Sequence, residues 1–180
     1  EVDKETVRKG LSRIEDSLAS GVERGKVSPA TKDATMSNLI GTTSLEKMAE
    51  CDLVIEAIVE DLAAKQEVFS ALEAIVRQET VFASNTSSLC ITEMASVTSR
   101  PDRFIGLHFF SPVPVMKLVE VIRGLATSDE TYKQIFAFSE TLGKEPVTAP
   151  DRPGFIANRL LIPYLLDAVR AYECGVGTIE

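Results

Sequence analysis

Short, nearly continuous apolar runs separated by amphipathic helical stripes limit this chain to one fold class. The run Asp52-Leu53-Val54-Ile55-Glu56-Ala57-Ile58-Val59 shows almost no polar alternation, which is the pattern of a strand covered on both faces. Asp61 is placed to cap a helix, and Leu62, Phe69, Leu72 and Val76 then recur at helical spacing. Val81-Phe82-Ala83 reads as a second buried strand, with a short helix predicted near residues 91–96. Residues 104–109 and 117–122 read as a third and a fourth strand. Thr127-Ser128-Asp129-Glu130 opens another helix, with Ile135, Phe138 and Leu142 on its inner side and Gly143 as its stop. Residues 146–148 complete the series as a short strand. Strands alternating with helices predict an α/β chain with a mostly parallel sheet.

The two ends carry no such alternation. Val7, Leu11, Ile14, Leu18 and Val22 predict an opening helix, capped by Asp3 and ended by Gly25. Residues 28–40 are polar and read as irregular, and 39–43 as a short strand. At the other end, Asp151-Arg152-Pro153-Gly154 is a turn and the best domain boundary. Residues 155–173 then form an apolar helix that Pro163 should kink, one turn after Asn158. That helix is too apolar to stand free. We therefore expect residues 1–150 to belong to one domain and 151–180 to begin an all-helical one.

The net charge of -8, with no basic cluster, argues against nucleic acid as the main partner. No apolar run approaches a membrane span and no signal peptide opens the chain, so no membrane role is expected. Cys51, Cys90 and Cys174 are isolated and odd in number. They suggest a reducing compartment, no disulfide framework and no structural metal.

The chemistry concentrates between Gly106 and Glu120. This stretch holds the only histidine, His108, and a glutamate twelve residues later inside an apolar run. If the flanking strands fold back about Pro114, position i pairs with position 228 minus i, and His108 faces Glu120 on one face of an antiparallel pair. A carboxylate facing an imidazole in an apolar setting is how a general acid/base is built. Such a hairpin would add an antiparallel edge to the sheet. Pro112 and Pro114 can distort the register.

Ligands of open α/β sheets bind beyond the carboxyl ends of the strands. Glu60, the run Ser84-Asn85-Thr86-Ser87-Ser88 and His108 all fall at such ends. Each has a plainer reading: a solvated loop acid, turn and cap chemistry, or a packed histidine. Lys65 is by default a surface lysine. Asn158, inside an apolar helix, needs partners for its amide.

Together these segments resemble the short-chain 3-hydroxyacyl-CoA dehydrogenases, including the bacterial 3-hydroxybutyryl-CoA dehydrogenases. Four motifs carry the resemblance in order: 52–60, 83–89, 106–120 and 151–159. It implies a Rossmann-like fold followed by a helical domain. It also implies interconversion of 3-hydroxyacyl-CoA and 3-oxoacyl-CoA with NAD. His108 would be the general base and Glu120 its orienting partner. Ser87 and Asn158 would position the substrate at its C3 oxygen. Glu60 and Lys65 would contact the cofactor, with Ala57, Asn85, Ser87 and Ser111 on the same side. Ser17, Arg24 and Lys26 would contact the coenzyme A part. The resemblance further implies a homodimer, and a bacterial cytoplasm or a mitochondrial matrix as location. A recruited, non-catalytic protein of the same fold, like the lens crystallins of this superfamily, is the alternative. Storage needs none of Ser87, His108, Glu120 and Asn158.

The chain also departs from the family pattern. It contains no G-x-G-x-x-G, and Ser111 stands where many members carry asparagine. It looks like the middle of an enzyme, without the first strand–turn–helix and without the C-terminal helices. Alone, it is expected to bind NAD poorly. The resemblance implies that the residue discriminating NAD from NADP belongs to that first segment.

Overall fold

The computed structural model describes residues 1–179. They form two compact units, Glu1–Ala49 and the chain from Glu50 onward. Among the described residues no helix is long and apolar enough to cross a membrane.

The first unit is helical. Helix α1 spans Lys4–Glu23, and the Asp3 side chain accepts the Thr6 N–H at its start. Its last turn is followed by Gly25 at φ 67°, the left-handed stop that glycine adopts without strain. Helix α2 spans Pro29–Ser37, which corrects the reading of 28–40 as irregular. Ser28 caps it and Pro29 takes the first turn, so the helix is specified by its ends rather than by an apolar stripe. Residues 39–43 are not a strand. Gly41 instead lies against α1, so close that a Cβ there would meet Val7 and Leu11.

The second unit is built on a five-stranded sheet. Its strands are β1 (Leu53–Glu56), β2 (Val81–Ser84), β3 (Phe104–Phe109), β4 (Leu118–Arg123) and β5 (Glu145–Pro150), in that spatial order. β1, β2 and β3 are parallel, β4 runs antiparallel to β3, and β5 is parallel to β4. The expected antiparallel edge is thus two strands wide. Helices α3 (Leu62–Glu73), α4 (Ile91–Ala95), α5 (Asp129–Thr141) and α6 (Ala157–Glu173) complete the unit.

Alternation along β2 and β3 divides the core between the two faces. Phe82 and Phe104 pack with Phe69 of α3, their ring centroids 4.5–6.2 Å apart. On the other face Val81, Ala83, Ile105, Leu107, Val119 and Val121 gather around Ile135 of α5. α4 presses on the hairpin at Gly106, where an added Cβ would lie 2.8 Å from Ile122 and Ile91.

Two expectations about burial fail. β1 ends at Glu56, short of Ala57, Ile58 and Val59, and Ile55 is 38% exposed. Among the described residues it pairs only with β2, so it is an edge strand, and the exposure of Ile55 leaves one of its faces partly open. On α5, Leu142 caps the C-terminus and is 48% exposed. Thr131 and Ser139 take the inner face, because their hydroxyls donate to the Asp102 and Ile135 carbonyls.

Candidate active site

The hairpin register is the one that symmetric folding about Pro114 requires. Gly106, Leu107, His108 and Phe109 pair with Ile122, Val121, Glu120 and Val119. The prolines fall in the connection, and the ladder is undisturbed. His108 and Glu120 are both buried, and Nδ1 lies 2.8 Å from Glu120 Oε2. The imidazole packs between Phe110 and Phe155, at centroid distances of 4.5 and 5.8 Å.

Glu120 does more than face the histidine. Its other oxygen accepts the N–H groups of Ile156 and Ala157 at 2.9 Å each, at the start of α6. Both backbone partners are donors. The His108 tautomer that fits an ionised Glu120 carries its proton on Nδ1 and leaves Nε2 as the acceptor. The positive end of the α6 dipole supports the same charge. This geometry depends on the turn before α6, where Gly154 has φ 76° and buried Phe155 has φ 49°. A non-glycine residue in that region costs energy and persists only where its surroundings fix it. Asp151 helps to fix it by accepting the Ile91 and Thr92 N–H groups and the Thr92 hydroxyl.

The loop after β2 brings in Ser87 and Asn158. The Asn158 amide donates to the Ser87 carbonyl at 3.2 Å. Both residues line a cleft of about 490 Å³ with Ser88, Pro153, Gly154, Arg159, Ile162 and Pro163. Asn85 Oδ1 accepts the Phe109 N–H at 2.8 Å, which ties this loop to the strand carrying the histidine.

The remaining carboxylates form a chain of contacts at the ends of β1 and β2. Glu60 Oε1 accepts the Thr86 hydroxyl at 2.5 Å and the Ser87 N–H at 2.9 Å. Partial burial works to raise the Glu60 pKa, but the bonds from Thr86 and Ser87 and the Lys65 charge outweigh it and hold the carboxyl below its ordinary range. Lys65 is no surface lysine: it is 1% exposed, with Nζ 2.7 Å from Glu56 Oε1, 3.4 Å from Glu60 Oε2 and 3.4 Å from the Ile58 carbonyl. Sequence reasoning missed Glu56, because no spacing rule links a strand carboxylate to a helix lysine nine residues on. It missed Asp151 and Phe155 as site-shaping residues for the same reason. The one available signal was a charged residue, Glu56, inside an apolar strand run.

Ala57 and Ser111 lie exposed just beyond β1 and β3. Ser17, Arg24 and Lys26 belong to the first unit, where Ser17 is exposed on α1 and Arg24 donates to Ser20 at 2.6 Å.

Residues 1–152 match the family model described as the NAD binding domain of 3-hydroxyacyl-CoA dehydrogenase. The chain is 45% identical over 174 residues to 3-hydroxybutyryl-CoA dehydrogenase of Clostridioides difficile, covering 97% of this chain and 62% of that protein. It is 52% identical over 149 residues to the mitochondrial hydroxyacyl-coenzyme A dehydrogenase of Homo sapiens, covering 82% of this chain and 48% of that protein. Among solved structures, (S)-3-hydroxybutyryl-CoA dehydrogenase PaaH1 from Ralstonia eutropha superposes with a TM-score of 0.96 at 41% identity. That match covers 99% of this chain and 63% of that one.

Proposed function

Because the chain belongs to the 3-hydroxyacyl-CoA dehydrogenase family, we propose that it carries the catalytic core of an enzyme interconverting 3-hydroxyacyl-CoA and 3-oxoacyl-CoA. The buried His108–Glu120 pair carries this reading. In the oxidative direction His108 Nε2 takes the proton of the C3 hydroxyl, and Glu120 balances the imidazolium that forms. In the reverse direction the same nitrogen returns the proton. Two backbone N–H groups hold one oxygen of Glu120 in place while the other faces the ring. Ser87 and Asn158 hold the substrate's C3 oxygen from the cleft that they line.

The donor set at the ends of β1 and β2 fits a dinucleotide. Glu60 is 41% exposed and held ionised, which suits the vicinal hydroxyls of a ribose. The Asn85 amide N–H groups are free to donate while its oxygen is held by Phe109. Ala57 and Ser111 line the same side. When bound, NAD supplies the hydride acceptor or donor for C3. Ser17, Arg24 and Lys26 are the proposed contacts to coenzyme A. Residues 151–180 begin the helical domain, and the intact protein is a homodimer.

The test is to mix the protein expressed from its whole reading frame with NADH and acetoacetyl-CoA and follow NADH absorbance. Loss that depends on the thioester is expected. A folded protein that consumes no NADH would overturn the reading.

A further inference from the structure

We infer that Glu56 is a positioning residue for the cofactor side of this site, acting on Glu60 and Ser87 through the buried Lys65. The inference rests on the reading above, in which Glu60 and Ser87 face the dinucleotide.

The contacts form one line from the sheet to the loop. Ser84 Oγ donates to Glu56 Oε2 at 2.7 Å, and the Ile58 N–H donates to Glu56 Oε1 at 2.6 Å. The same Oε1 lies 2.7 Å from Lys65 Nζ, with both side chains 1% exposed. An ammonium has three protons to give. Those of Lys65 face Glu56 closely and, more loosely at 3.4 Å each, the Ile58 carbonyl and Glu60 Oε2. Glu56 therefore fixes where the ammonium stands beside Glu60.

The asymmetry of those distances is the physical point. Two carboxylates compete for one buried cation, and Glu56 holds it closely while Glu60 holds it at arm's length. Glu60 is thereby left to accept the Thr86 hydroxyl and the Ser87 N–H with Oε1 and to keep its outward exposure. Neutralise Glu56, and Glu60 becomes the only charged partner of a buried ammonium. Glu60 is then drawn inward, away from Ser87 and from the ribose that it serves. A buried charge left without its partner is costly enough to drive such a movement.

The experiment is a double-mutant cycle on the protein from its whole reading frame, reading the NADH dissociation constant by fluorescence titration. We expect E56Q to weaken NADH by about tenfold while the KM for acetoacetyl-CoA stays within about twofold. We expect K65M to weaken it similarly, and E56Q/K65M to bind no worse than K65M alone, because the double variant has no lone buried charge. Additive losses would overturn the inference, since Glu56 would then act by another route. Normal NADH affinity in E56Q, with K65M impaired, would overturn it while leaving the functional reading intact. Normal affinity in all three would overturn both. Should E56Q not fold, E56D provides the readout: it keeps the charge but draws the carboxylate one methylene back from Lys65, and is expected to weaken NADH severalfold with no change in KM for the thioester. Unchanged NADH affinity in E56D would overturn the inference.

Discussion

At the scale of single residues, His108 and Glu60 carry separable roles. H108Q keeps a polar group of similar size at a buried position but removes the proton acceptor. Its turnover is expected to fall about 10²–10⁴-fold, with NADH affinity nearly intact, as steady-state kinetics and fluorescence titration will show. Glu60 makes a pH prediction. Its folded pKa lies below the ordinary glutamate value of 4.5, so the stabilisation it gives is fully present above that value and is lost as pH falls through the depressed one. E60Q should therefore flatten the acid limb of stability between pH 4.5 and lower values, as acid titrations followed by circular dichroism will report. An acid limb unchanged by E60Q would remove Glu60 from that role.

At the scale of elements, the site depends on how the turn before α6 seats against β4 and α4. Glu120 links the histidine on β3 to the first N–H groups of α6, and Asp151 links the turn to α4. E120A should cost about 3–5 kcal/mol, because it unpairs a buried group and frees two helix N–H groups at once. D151A should cost about 1–2 kcal/mol, the range for loss of a helix cap. Chemical denaturation measures both. D151A should also lower turnover, since the turn that holds Phe155 against the His108 ring loses its anchor. G106A tests the hairpin itself. A methyl there meets Ile122 and Ile91 at 2.8 Å, and overpacking of this kind costs about 1–3 kcal/mol.

At the scale of the whole molecule, the chain spans about 62% of the Clostridioides difficile relative and 63% of the Ralstonia eutropha structure. Two of its surfaces have no partner among the described residues. Along α6, Leu160, Leu161, Ile162, Leu165, Leu166 and Val169 are exposed, and β1 has a strand neighbour on one side only. Residues 1–180 are therefore expected to associate or bind a hydrophobic dye, and an L161E/L165E variant should do less of both. Light scattering and dye fluorescence compare the two.

The sequence by itself determined what depends on local spacing. The helix caps Asp3 and Asp61, the order of strands and helices from β1 to β5, and the pairing of His108 with Glu120 all follow from periodicity, capping chemistry and a symmetric turn. The resemblance then supplied roles for Ser87 and Asn158, and the fold brings those two into contact. Tertiary structure alone decided the rest. Lys65 is buried because a strand carboxylate nine residues away neutralises it, and Glu120 reaches α6 because a strained turn delivers two N–H groups to it. Leu142 is outside and Ser139 inside because hydrogen bonding can reverse what hydropathy suggests. Spacing along a chain reports neighbours within one element or hairpin. Charge pairing between elements depends on distances that only the packed fold sets.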